Sequence, residues 1–133
     1  MLDINSFLGR INKNSPPSET VFSALLEKID FTIDKTFLHF MKNYNGASGC
    51  IDGGKCFNIW QIEDILKLNP YYDFIEQSKS LFFFGSNGSS FGYAFNKLDS
   101  SIIGIEYLDI GTIDPEIIAS SFDAFLSYLS VSN

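Results

Sequence analysis

Histidine is almost missing from this sequence: His39 is the only one. A structural zinc site needs about four ligands, and one histidine with two cysteines falls short of that. Lysine and arginine are missing from a whole third of the chain. Residues 98–133 hold Asp99, Glu106, Asp109, Asp114, Glu116 and Asp123 and no base, a net of −6, whereas residues 1–97 hold ten acids against nine bases. With a total of −7, nucleic acid and anionic membranes are repelled, and both are excluded as favoured partners. Long apolar runs are missing too, since no stretch approaches the ~20 residues of a membrane helix. Met1-Leu2-Asp3-Ile4-Asn5 has no basic leader region, so no signal peptide is expected and the predicted location is the cytoplasm. There Cys50 and Cys56, which flank a turn sequence, read as two buried free thiols in preference to a regulatory disulfide.

What is present is a large aromatic core. Fourteen Phe and six Tyr in 133 residues, with 45% hydrophobic and 19% charged residues, describe one globular domain over residues 1–133. Ile4, Phe7, Leu8 and Ile11 have helical spacing, and Asn14-Ser15-Pro16-Pro17 breaks that segment. Ser15 or Ser18 caps a second helix striped by Phe22, Leu25, Leu26 and Ile29. Asp34 caps a third, striped by Phe37, Phe40, Met41 and Tyr44 and stopped by Asn45-Gly46. Cys50-Ile51 and Cys56 to Trp60 then read as two short strands around the turn Asp52-Gly53-Gly54-Lys55, followed by a short helix over 61–68.

Leu81-Phe82-Phe83-Phe84 is an apolar strand, and 85–90 a loop. Phe91-Gly92-Tyr93-Ala94-Phe95 is a strand with one aromatic and one nearly bare face. Ile102 to Leu108 reads as a further strand. Asp114 and Pro115 have the chemistry of a helix start, with Ile118, Phe122, Phe125, Leu126 and Leu129 as the stripe. The fold class is therefore α+β: an antiparallel sheet with helices packed against it.

Few motifs suggest chemistry. Gly88-Ser89-Ser90-Phe91-Gly92 matches the hydrolase pattern G-x-S-x-G, but a strand follows where a helix is required, and His39 lies upstream. The loop lacks the Lys-Ser/Thr ending of a phosphate loop. His39 reads as a surface residue. Asp52, Glu63 and Asp64 near Trp60 read as helix-start acids rather than an acidic pocket. Trp60 reads as a core plug or, second, as a partner anchor. No nucleophile, base and orienter come together, so no enzyme and no cofactor are predicted.

Four pieces in order resemble one family. They are Tyr44-Asn45-Gly46, Ile59-Trp60, Leu81-Phe82-Phe83-Phe84-Gly85-Ser86-Asn87-Gly88 with Tyr93-Ala94, and Ile118 to Leu126. Together, over about residues 19–129, they look like the SUKH superfamily, specifically its Smi/Knr branch. The resemblance implies an α+β fold and, in bacteria, similarity to immunity proteins that neutralise polymorphic toxins, often nucleases, by direct binding. Other members resemble regulatory scaffolds, which gives the alternative: a protein-interaction module with no toxin partner. The chain departs from the family at Ile33-Asp34, where Leu-Pro is common, and at Ser89-Ser90-Phe91, where Gly-Gly-Asp is common. Joined to the acidic 98–133 segment, the resemblance implies a basic toxin domain as partner, with Glu106, Asp109, Asp99, Ser86 and Asn87 as binding residues and Trp60 after them.

Overall fold

The structure, a computed structural model, describes residues 9, 11–51, 55–72 and 75–130. The expected helix around Ile4, Phe7 and Leu8 and the turn residues 52–54 lie outside them. Ile11 itself is not helical and leads into a two-residue strand, β1 (Asn12–Lys13).

Ser18 starts the first helix, α1 (Glu19–Lys28), by accepting a bond from the Val21 amide at 3.2 Å. Such a side-chain acceptor satisfies one of the amides that a helix start leaves unpaired. Asp34 does the same for α2 (Lys35–Tyr44), taking the Thr36 amide at 2.8 Å. The helix buries Phe37, Phe40 and Met41, the stripe read from the sequence. It ends at Asn45 in a left-handed conformation (φ 46°).

Asn45 and Gly46 then form a joint. The Asn45 side-chain oxygen accepts the Ile62 amide (2.8 Å), its amide group donates to Glu63 Oε1 (3.0 Å), and its carbonyl accepts from Asn14 (3.0 Å). One buried residue thus closes α2 and caps α3 (Ile62–Leu68). Gly46 has φ +95°, and a Cβ there would stand 2.6 Å from the Ile59 carbonyl oxygen. The Asn45-Gly46 pair is therefore required by both conformation and space.

The remaining strands are β2 (Ala47–Cys50), β3 (Cys56–Ile59), β4 (Leu81–Ser86), β5 (Phe91–Asn96), β6 (Ile102–Glu106) and β7 (Glu116–Ala119). With β1 they form a seven-stranded sheet in simple chain order, and every neighbouring pair is antiparallel. The fourth helix, α4 (Phe122–Ser130), follows β7.

Alternation along β4 and β5 sends rings to both faces of this sheet. On one face Phe84 lies 5.3 Å from Phe37 of α2, 4.9 Å from Phe95 and 5.3 Å from Phe125 of α4, centroid to centroid. Edge-on and tilted ring pairs of this kind each add about 0.5–1.5 kcal/mol beyond area burial. On the other face Phe83 packs at 5.0 Å against Tyr72, which stacks with Tyr107 at 6.4 Å. The bare face of β5 is filled from outside: a Cβ on Gly92 would stand 2.7 Å from the Tyr107 ring. Asn69 completes the edge of β4, its side chain accepting the Phe83 amide (2.8 Å) and donating to the Phe83 carbonyl (2.9 Å).

Three sequence expectations need correction. Asp114 and Pro115 do not start the last helix: Glu116–Ala119 is a strand, with Ile117 opposite Ile103 and Ala119 opposite Ile102. The β-branched pair Ile117-Ile118 finds a sheet edge to join, and that pairing overrides the local helix signal. Ser121 caps α4 instead, accepting the Ala124 amide at 3.1 Å. The strand starting at Ile102 ends at Glu106 rather than Leu108, where the chain tightens into a 3-10 turn (Tyr107–Asp109). Finally, Cys50 and Cys56 are neither buried nor free. They are exposed, sit directly opposite in the β2–β3 register and form a disulfide. Opposed residues on antiparallel strands have the closest side chains in a sheet, which places the two sulfurs in reach.

Candidate partner-binding surface

The hairpin between β4 and β5 organises one end of the sheet. Asn87 folds it: its side-chain oxygen accepts the Ser89 amide (2.9 Å) and the Phe91 amide (3.3 Å), while its own amide donates to the Phe91 carbonyl (2.9 Å). Ser86 is buried, 6% exposed, and its hydroxyl accepts the Gly88 amide at 3.1 Å and bonds the Tyr107 hydroxyl. Ser86 thus shapes the loop from below, and Asn87 is half-buried at its base. Ser89 and Ser90 are the exposed tip.

The end of β6 lies beside this tip, because Phe91 is opposite Glu106. The Ser90 hydroxyl donates to Glu106 Oε2 at 2.6 Å, and the Tyr107 amide donates to the Ser90 carbonyl at 2.9 Å. A short bond to a carboxylate fixes an exposed acid in one position. Asp109 follows three residues on, and its carbonyl gathers the Thr112 and Ile113 amides, both at 3.0 Å. Gln77 holds this turn from outside, accepting the Gly111 amide (2.7 Å) and donating to the Ile113 carbonyl (2.9 Å). Burial pushes the Tyr107 hydroxyl up to about 12, with Tyr72 beside it adding to the effect.

Of the residues singled out from sequence, the structure brings Glu106, Asp109, Ser86 and Asn87 to this end. Asp99 is at the opposite end, in the turn joining β5 to β6, where the Ser101 hydroxyl (2.6 Å) and amide (2.9 Å) hold its carboxyl below the usual range. Trp60 is 8% exposed and belongs to the core. His39 is exposed on α2, within 3.2 Å of the Asn43 side chain. Glu63 and Asp64 are exposed in the first turn of α3, and Asp52 lies outside the described residues.

Sequence reasoning missed the apolar part of this region. Leu108 is 94% exposed, Ile113 54% and Ile117 74%. From the sequence Leu108 reads as a strand end and Ile117 as part of the last helix, while Ile113 falls between the two elements. Gly111, with φ +92°, was the local signal of that turn. Among the described residues, no group of three His, Cys, Asp or Glu side chains could hold a metal ion. No helix among them is long and apolar enough to cross a membrane.

A meander sheet with two helices laid on its aromatic face, and an acidic loop end beside exposed apolar side chains, defines an α+β domain with a surface suited to protein contact. The model of the SMI1 / KNR4 family (SUKH-1) matches residues 16–128, and the chain belongs to that family. The Asn45-Gly46 joint, the β4 strand with its loop and the Phe122–Phe125 ring pair all fall within the matched span. No curated protein sequence matches the chain.

Proposed function

We propose that this protein is an immunity protein that binds a basic toxin domain, such as a nuclease, and blocks it by direct contact. Membership of the SUKH-1 family is consistent with that role. The observation that carries the reading is the pairing of fixed acid with exposed apolar surface at one sheet end. Glu106 is held by Ser90, Asp109 lies in the adjoining turn, and Leu108 stands exposed between them. A nuclease must carry positive charge to hold its substrate, so an acidic inhibitor competes for the same surface. The apolar side chain supplies the desolvated contact that charge alone does not.

The test is binding to the C-terminal domain of a toxin-like protein encoded beside this gene, at low and at moderate salt. Tight binding that weakens with salt supports the reading. Replacing Glu106→Lys and Asp109→Lys together slows association by about tenfold at low salt. Unchanged association at low salt would remove the electrostatic part, and no binding at either salt favours a regulatory scaffold without a toxin.

A further inference from the structure

We propose that β7 is an open sheet edge that receives one extended strand from a basic partner protein. This rests on the reading above and names the mode of contact.

Among the described residues, strand β7 is the last in the sheet and pairs only with β6. Antiparallel pairing uses half of a strand's backbone groups, so N–H and C=O groups face away from β6, in regular register at Glu116 and Ile117 and interrupted by a bulge at Ile118. Among the described residues, Glu116, Ile117 and Ile118 have no hydrogen bond to any element but β6. Proteins normally protect such an edge with charge, proline or cover. Pro115 and Glu116 guard one end here, yet Ile117 is 74% exposed on the strand itself. An added strand would pair with the open row and cover that side chain. The other edge is β1, two residues long, with Lys13 in it, and offers much less.

The charge pattern selects the occupant. Asp114, Glu116 and Asp123 flank or sit on the strand, and no Lys or Arg occurs from residue 98 onward. A lysine- or arginine-bearing strand gains from Glu116 on the strand and from the acidic surroundings of its two ends. A second copy of this chain brings a net charge of −7 and the same acids to the seam, which disfavours self-pairing.

The experiment is amide hydrogen exchange on the full chain. The probes are an end-blocked peptide of about eight residues alternating lysine and valine, and the same peptide with glutamate for lysine. The basic peptide is expected to slow exchange by about tenfold at the β7 amides that face away from β6, and the acidic one to leave them unchanged. Ile117→Lys abolishes the slowing. Leu98→Lys, the same charge change at an 84% exposed site in the distant turn, preserves it. No slowing by the basic peptide, or equal loss in both variants, overturns the proposal. The neighbour-encoded toxin domain separates the two readings. If it binds while the β7 amides exchange as in the free protein, strand addition fails and immunity stands. If it does not bind while the peptide does, the edge stands and the toxin is withdrawn.

Discussion

Asp34 and Phe122 lie 88 positions apart in the chain and are joined by a single hydrogen bond, the Phe122 amide donating to Asp34 Oδ2 at 2.8 Å. The other oxygen, Oδ1, takes the Thr36 amide. One carboxylate therefore starts α2 and ties down the first residue of α4. The pair sits beside the ring contact of Phe37 with Phe122, at 5.3 Å, so it fixes the two helices that cover the same face of the sheet.

Removing that carboxylate should cost the cap of α2 and the bond that ties α4 to it, while Ser121 still caps α4. Asp34→Ala is expected to destabilise the protein by roughly 1–4 kcal/mol, twice the usual cost of one lost cap. Asp34→Asn keeps one acceptor oxygen and loses about half as much. Urea denaturation of the three proteins checks this, and equal midpoints for the two variants would refute the double role.

Two glycines with similar backbone conformations should respond differently to alanine. Gly46 (φ +95°) would push a Cβ against the Ile59 and Trp60 carbonyls, whereas Gly88 (φ +86°) has nothing within 4 Å. Gly88→Ala is expected to cost about 1 kcal/mol, the price of the left-handed conformation alone. Gly46→Ala should lose at least about 3 kcal/mol, because the joint must move as well. Comparable thermal midpoints would show that the space at Gly46 does not matter.

The half-buried Tyr107 hydroxyl predicts a loss of stability in alkali. Its folded pKa is raised from 10.0 to about 12 by burial, so the neutral form is favoured in the folded state. The contribution is complete below about pH 10 and disappears as pH rises through about 12, since the unfolded chain ionises first. Tyr93 and Tyr72 are raised in the same direction, also by burial. Tyr107→Phe should flatten the fall in urea midpoint across that interval, leaving the part due to the other two rings. An identical slope in wild type and variant would rule Tyr107 out.

The disulfide closes a short loop, with a sequence separation of six. Chain-entropy reasoning gives about 2 kcal/mol for a loop of that size. A thiol reductant or Cys50→Ser with Cys56→Ser should lower stability by about that amount without unfolding the domain. Free-thiol titration with and without reductant, followed by urea denaturation, measures it. Two titratable thiols in unreduced native protein would show that the bridge does not form.

Most of this fold could be read from periodicity. The stripes of Phe37, Phe40 and Met41, and of Phe122, Phe125 and Leu126, recur at helical spacing and are buried. The Leu81 to Phe84 run could only be interior. Misreadings fell where a local signal competed with a distant partner. Asp114-Pro115 looks like a helix start until β6 offers Ile117 a neighbour. Cys50 and Cys56 looked like buried thiols because exposure depends on which face of a hairpin they occupy. At the candidate surface, Glu106 and Asp109 were accessible to charge counting alone. Leu108 and Ile117 were not, because an exposed isoleucine and a core isoleucine are the same letter until the sheet order is known.

The sheet's simple chain order also sets a sequence of events during synthesis. Each strand can pair with its predecessor as the nascent chain leaves the ribosome, without waiting for a distant partner. The covering of the Phe84 and Phe95 rings is different, since α4 arrives only with residues 122–130. Until then Asp34 holds half of its task, and the part of the ring face that α2 does not cover stays open to water. A chain interrupted before Phe122 would therefore present a complete sheet with its stickiest face only half covered, a natural target for chaperones and proteases.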